Sequence, residues 1–238
     1  MATRKLASEK RPEQYFEPVP STEPERDDGT RDLGELYPFL ISGGTNTERY
    51  YFTHINDKTA HKFNIRPRYF GGESNYTETF PKRIVEILKT NNSARIFCVF
   101  DWDTIYGKEK LLKKHFAFES RFQKEIKEGT LTLCPSMPSI EYWFLLHFTD
   151  YSKLLKDYGA AANKLAHHLK PYFPDPNVPL KKLLKMEKYL KDSSWVEKLC
   201  ADGKLELAVE RAERNIQRAQ ADVDLENQSY SFVYMAFK

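Results

Sequence analysis

Cysteine is scarce, with only Cys98, Cys134 and Cys200 among 238 residues and no Cys-x-x-Cys spacing. An odd, dispersed set argues against a disulfide framework and against a thiolate zinc site, and the apolar runs around Cys98 and Cys134 mark these two as inert core thiols. Glycine (10) and proline (13) are too few for a collagen-like or low-complexity chain. No stretch approaches the ~18–20 consecutive apolar residues of a membrane helix. The N-terminus also lacks the basic, apolar, small-residue order of a signal peptide, so a cytoplasmic protein without membrane attachment is expected. Excess charge is missing too: 37 Lys+Arg against 34 Asp+Glu leaves +3. Such a balance provides no bulk basic field, so it neither indicates nor excludes nucleic acid.

What is present is length enough for one elaborated domain, or for a core domain with a helical extension. Residues 1–34 cluster Pro12, Pro18, Pro20 and Pro24 with charge and almost no aliphatic periodicity, which predicts a flexible arm with Tyr15-Phe16 as its one docking candidate. From Tyr37 the texture alternates. Phe39-Leu40-Ile41 predicts a strand ended by Ser42-Gly43-Gly44, and Thr45 to Lys58 a helix. Phe63 to Phe70 alternates apolar and basic residues as a strand does, and Thr77 to Thr90 has helical spacing. Ala94 to Phe100 is short, β-branched and aromatic, the composition of a parallel strand buried on both faces. A long charged helix over Lys108 to Lys127, a strand over Thr130 to Cys134 and an apolar helix over Ser139 to Phe148 follow. This order predicts an α/β core over 35–150, a mostly parallel sheet flanked by helices, with 151–238 a mainly helical extension packed on it.

Ligands of open α/β sheets bind beyond the carboxyl ends of the strands, which gives weight to acids placed there. Asp101 and Asp103 directly follow the most apolar strand. Two carboxylates at i and i+2 repel unless a cation lies between them, and a hard divalent ion such as Mg²⁺ or Mn²⁺ would supply that charge. Capping of the following turn is the alternative reading of both. Glu48 lies in the first helical turn after Gly43-Gly44, and Glu141 in the first turn of an otherwise apolar helix, where the helix dipole alone favours an acid.

Three ordered segments, Phe39-Leu-Ile-Ser-Gly-Gly-Thr-Asn-Thr-Glu-Arg-Tyr-Tyr-Phe52, Val99-Phe-Asp-Trp-Asp103 and Ser136-Met-Pro-Ser-Ile-Glu-Tyr-Trp-Phe-Leu-Leu-His-Phe148, resemble the RloB family of bacterial proteins, over roughly residues 37–220. That family is related to Toprim domains and occurs near restriction and other anti-phage genes. The resemblance implies a Toprim-like fold and a metal-dependent nuclease acting on phosphodiesters of DNA or RNA. The metal is then expected on Asp101, Asp103 and Glu48, with Glu141 completing the catalytic set. One position departs from the pattern. Toprim proteins end their first strand in a glutamate followed by glycine, and Gly43 stands in its place here. Glycine offers neither proton nor ligand, so another acid must move in, and Glu48 is the nearest. Alternatively Gly43, Gly44 and Thr45 form an anion-binding turn that holds phosphate without hydrolysing it.

Arg66 and Arg68 on one strand face, with Lys62, and Lys108 and Lys110 after the acidic pair are positioned to contact a nucleic-acid backbone, although a solvated face suffices for the helix lysines. His147, Trp143 and Phe144 read as packing residues, and Ser42, Thr45 and Thr47 as turn and cap residues. Adjacent His167 and His168 point about 100° apart and make a poor chelate. Two functions are therefore expected: a Mg²⁺- or Mn²⁺-dependent nuclease of prokaryotic defence, or a degenerate Toprim-like module that binds nucleic acid, nucleotide or a partner ATPase of the ABC or AAA type without cutting.

Overall fold

A computed structural model describes residues 33–34, 36–44, 46–66, 76–221 and 227–238. In chain order it contains β1 (Phe39–Ser42), α1 (Thr47–Lys58), β2 (Asn64–Arg66), α2 (Tyr76–Thr90), β3 (Ile96–Asp101), α3 (Glu109–Arg121), α4 (Gln123–Lys127), β4 (Leu131–Met137), α5 (Ile140–Leu146), α6 (Tyr158–Leu169), α7 (Leu180–Leu183), α8 (Glu187–Leu190), α9 (Ser194–Cys200), α10 (Lys204–Ala221) and β5 (Tyr230–Ser231). The strands form one sheet in the order β2-β1-β3-β4-β5. Its first four members are parallel, and β5 runs antiparallel on β4. This is the mixed α/β architecture expected, with a helical C-terminal region.

Period-two alternation explains how the sheet is covered. Ile96, Cys98 and Phe100 of β3 face one side and pack with Phe39, Ile41, Phe80, Ile84 and Phe118. Phe97 and Val99 face the other side with Leu40, Ile65 and Cys134, beneath α1, α5 and the helices of the C-terminal region. The direction of travel reverses after β2, which sends α1 to one face and α2 and α3 to the opposite one. β3, covered on both faces, is the buried strand its composition predicts. Burial pushes the Cys98 and Cys134 thiols far up, as inert core thiols require.

Two elements differ from the sequence expectation, whereas the strand signal at Tyr230 is met. The single helix expected over 108–127 breaks at Phe122, whose ψ of 22° interrupts the helical path between α3 and α4. β4 continues through Pro135 to Met137, because proline still offers its carbonyl, which accepts the Phe232 N–H at 2.9 Å. The end of the chain returns to the sheet as β5, with the Ser136 and Ser231 hydroxyls 2.8 Å apart. The arm over 1–34, the strand beyond Arg66 and Tyr15-Phe16 fall almost wholly outside the described residues.

A buried polar chain ties the C-terminal helices to the core. Trp143 Nε1 donates to the Tyr51 hydroxyl at 2.9 Å. The Leu199 carbonyl, 2.7 Å from His147 Nδ1, accepts a proton there, which leaves Nε2 to face the Tyr51 hydroxyl at 3.4 Å as an acceptor. Burial foremost, opposed by the Leu199 bond and reinforced by Arg211 and Lys204, pushes His147 down to about 3. Because its folded value lies below the unfolded 6.5, the stability of the neutral ring is present above pH 6.5 and lost as pH falls toward about 3. His147→Phe is therefore expected to cost about 1–3 kcal/mol at pH 7 for the lost hydrogen bonds. The same change should weaken the loss of stability between pH 6.5 and 4, measured by urea denaturation. An unchanged acid slope would contradict this role.

Candidate active site at the carboxyl ends of the strands

Strand order reverses between β1 and β3, so the ligand crevice of this sheet lies where those two strands end, at Ser42 and Asp101. Three carboxylates converge there from three elements. Asp101 ends β3, and its Oδ1 accepts the Ile140 N–H at 2.8 Å, so it caps α5 rather than the turn that follows it. Glu141, in the first turn of α5, is fully buried, and its Oε2 accepts the Ser139 hydroxyl at 2.6 Å. Its Oε1 is buried without a hydrogen-bond partner. Glu48 lies in the first turn of α1 and is 5% exposed, at the head of the buried stripe Glu48, Tyr51, Phe52, Ile55.

The two glycines explain how Glu48 reaches this place. A side chain at Gly43 would begin 3.2 Å from Phe100 Cβ, so it would crowd β3 by a few tenths of an ångström. At Gly44 a Cβ would fall 1.6 Å from Glu48 Oε2, so the absent side chain is the space that the Glu48 carboxylate fills. An acid from α1 thus lies against the turn at which the family resemblance leads one to expect a first-strand glutamate. The turn's N–H groups are engaged: Gly43 donates to the Val99 carbonyl at 2.7 Å, and Gly44 donates to Glu48. A phosphate held by Gly43 and Gly44 would have to displace these bonds, and Thr45 lies outside the described residues.

Asp103 is less closely paired with Asp101 than an i, i+2 arrangement predicts. The chain turns into a 3₁₀ segment at Trp102–Thr104, and Asp103 Oδ2 accepts the Tyr158 N–H at the start of α6, at 3.3 Å. Desolvation first, then the charges of Glu48, Glu141 and Asp103 in that order, raise Asp101 well above the ordinary carboxylate range. Desolvation likewise raises Glu48, Glu141 and Asp103.

The residue that sequence reasoning missed is Lys185. Its Nζ lies 3.9 Å from Glu141 Oε1 and 4.6 Å over the Tyr158 ring, and it is placed by the turn between α7 and α8. Desolvation lowers its pKa, but Glu141, Glu48, Asp101 and Asp103 together outweigh that and hold it above the ordinary lysine value. Nothing in its local sequence marks it. Its place depends on long-range bonds of its neighbours, with the Thr47 hydroxyl donating to the Leu184 carbonyl at 2.6 Å and the Tyr50 hydroxyl to Glu187 Oε1 at 3.1 Å.

Of the expected basic contacts, Arg66 ends β2 and lies over the Phe39 ring at 5.0 Å, on the same carboxyl side of the sheet. Lys108 folds back onto the Thr104 carbonyl at 2.9 Å, and Lys110 is exposed on α3. Arg68 lies outside the described residues. Elsewhere, His168 stacks on Phe148 with centroids 5.2 Å apart, which accounts for it by packing.

Whether these residues suit a divalent cation is decided by donor chemistry. Glu48, Asp101 and Glu141 offer only hard carboxylate oxygens, the set that Mg²⁺ or Mn²⁺ takes, and Glu141 Oε1 has no hydrogen-bond partner. Among the described residues no group of three His, Cys, Asp or Glu side chains is already drawn together at metal-binding spacing.

A family model described as RloB-like protein matches residues 39–236. Searches of curated proteins and of solved structures gave no match. No helix among the described residues is long and apolar enough to cross a membrane.

Proposed function

We propose that this chain, which belongs to the RloB-like protein family, is a divalent-metal-dependent nuclease of a prokaryotic anti-phage system, hydrolysing phosphodiesters of DNA or RNA. The observation that carries the reading is the buried trio Glu48, Asp101 and Glu141 at the β1/β3 crevice, with one carboxylate oxygen of Glu141 lacking a hydrogen-bond partner and facing Lys185 at 3.9 Å. Mg²⁺ or Mn²⁺ held by Asp101, Glu48 and Glu141, with Asp103 beside them, would polarise the scissile phosphate and lower the pKa of a bound water. The chain's own residues do the rest. Asp101, anchored on the Ile140 N–H, keeps its orientation without side-chain reorganisation. The raised carboxyl of Glu48 is suited to take a proton from water, the role left vacant by Gly43. Lys185 brings an ammonium to the mouth of the cluster, where it can pair with a phosphate oxygen.

Lys185 also supports a second reading. It provides positive charge beside the acids without any metal, as a non-cutting module for nucleic acid, nucleotide or an ATPase partner would need. Cleavage separates the two. Plasmid, single-stranded DNA and tRNA are incubated with Mg²⁺ or Mn²⁺ and either wild type or Asp101→Ala. Losing a metal ligand removes several kcal/mol of charge stabilisation, so cleavage should fall about a hundredfold or more. Equal cleavage by both proteins, or none by either while nucleic acid still binds, would overturn the nuclease reading.

A further inference from the structure

A cavity of about 250 Å³ opens in the C-terminal region, separate from the carboxylate cluster, between the 3₁₀ turn Lys170–Tyr172 and helices α8 and α9. Its walls are aromatic: Tyr172, Phe173, Tyr189 and Trp195. Phe173 and Trp195 are buried at its base, and Tyr172 is 45% exposed at its rim. The rim carries cations, with Lys188 Nζ 4.5 Å over the Tyr189 ring and Lys198 Nζ 5.4 Å over the Tyr172 ring. We propose that this cavity is a stacking site for an unpaired base of a single-stranded nucleic acid.

Size limits the occupant. A cavity of about 150 Å³ accepts benzene and drug-sized ligands need about 300 Å³ or more, so 250 Å³ suits a single planar heterocycle. Charge selects its class. The segment from Pro179 to Asp192 carries Lys181, Lys182, Lys185, Lys188 and Lys191 against Glu187, which pairs with Lys191 at 2.9 Å, and Asp192, which lines the cavity with Lys188, so the excess is three positive charges. Lysines beside open aromatic faces are what a single strand meets where a protein holds its backbone by charge and its bases by stacking. The lysine–ring contacts are exposed and individually weak, about 0.5–1 kcal/mol, so an entering base can take the ring face while the ammonium moves to a phosphate. Position links the two sites. Lys188 rims the cavity and Lys185 faces Glu141, three residues apart and so within roughly 11 Å along the chain. Duplex DNA cannot use the site, because its bases are stacked and paired. This inference rests on the nuclease reading for its substrate but not for its test.

The test is binding in EDTA, where no cutting occurs, measured by fluorescence anisotropy on the full chain. The probes are oligothymidylate, oligouridylate and an abasic sugar-phosphate oligomer of equal length. Oligothymidylate or oligouridylate should bind about tenfold more tightly than the abasic oligomer. Tyr172→Ala, at an exposed rim position that the core does not need, should bring the ratio close to one. Tyr172→Phe should keep it. Lys188→Ala should weaken all three probes alike. Equal wild-type binding of base-bearing and abasic oligomers, or a ratio unchanged in Tyr172→Ala, would overturn the stacking site. A base-dependent ratio without any cleavage in Mg²⁺ would leave the site standing and remove the nuclease reading, whereas cleavage without the ratio would do the reverse.

Discussion

Asp101→Asn melts at a higher temperature than the wild type when both are held in EDTA at neutral pH. The change is isosteric, and the amide oxygen still accepts the Ile140 N–H that Asp101 Oδ1 accepts at 2.8 Å. What disappears is a carboxylate in a desolvated site facing Glu48, Glu141 and Asp103. The sign follows from linkage. A carboxyl whose folded pKa is raised binds its proton more tightly in the native state. Its contribution is therefore fully present below the unfolded value of about 4 and is lost as pH rises through the raised folded value. At neutral pH the wild type carries that penalty and the asparagine variant does not. Each kcal/mol relieved should raise the melting temperature by roughly 2–4 °C for a chain of this size. A divalent ion should act in the opposite sense on the pair. At a hundred times its dissociation constant it contributes about 2.7 kcal/mol to the wild type, or roughly 5–10 °C, and far less to Asp101→Asn. A variant that melts lower than wild type in EDTA, or that gains as much from Mg²⁺ or Mn²⁺, would show that the cluster is neither strained nor relieved by a cation.

Gly44→Ala disables Glu48 without touching it. The added methyl would meet only the Glu48 carboxylate among its nearest neighbours, at 1.6 Å from Oε2, and that is the free end of a flexible side chain. The chain should fold normally while the carboxylate swings away from Asp101 and Glu141. Cleavage should fall about 10- to 100-fold, the loss that follows when groups around a metal site are disturbed, and should match the loss in Glu48→Gln. The decisive protein is the double variant. If both changes act through one carboxylate, Gly44→Ala with Glu48→Gln is no slower than Glu48→Gln alone. Multiplying losses would place the effect of Gly44 elsewhere. Gly43 offers no such handle, because its missing side chain faces Phe100 and the Val99 carbonyl, which cannot swing aside.

The acids of the cluster were legible from local pattern. Glu48 shares the i, i+3, i+4, i+7 stripe of Tyr51, Phe52 and Ile55, and Glu141 is the lone acid in a helix whose seven residues are all buried. Asp101 was legible as the acid ending a strand hydrophobic on both faces, and the three ordered segments pointed to the family that the match over 39–236 shows. Their partnerships were less so. An i, i+2 pairing of Asp101 and Asp103 assumes that the strand continues, whereas the backbone turns at Trp102 and hands Asp103 to α6. Lys185 was invisible because its position is set by residues 137 positions away in the chain, through Thr47 and Tyr50. The break at Phe122 likewise interrupts a region with helical periodicity on both sides.

The pairing of β5 with β4 has a consequence for when the crevice comes into being. Ser136 meets Ser231 across 95 residues, and the Tyr142 hydroxyl and the Tyr151 carbonyl both receive Asn215 from α10. Contacts so distant in sequence close late, after the entropy of a long loop has been lost. A chain still emerging from the ribosome can hold Asp101 and Glu48 long before Lys185 and the last strand arrive. Contacts brought by residues 185–231 thus join the crevice region only after the strands that carry its first acids have formed.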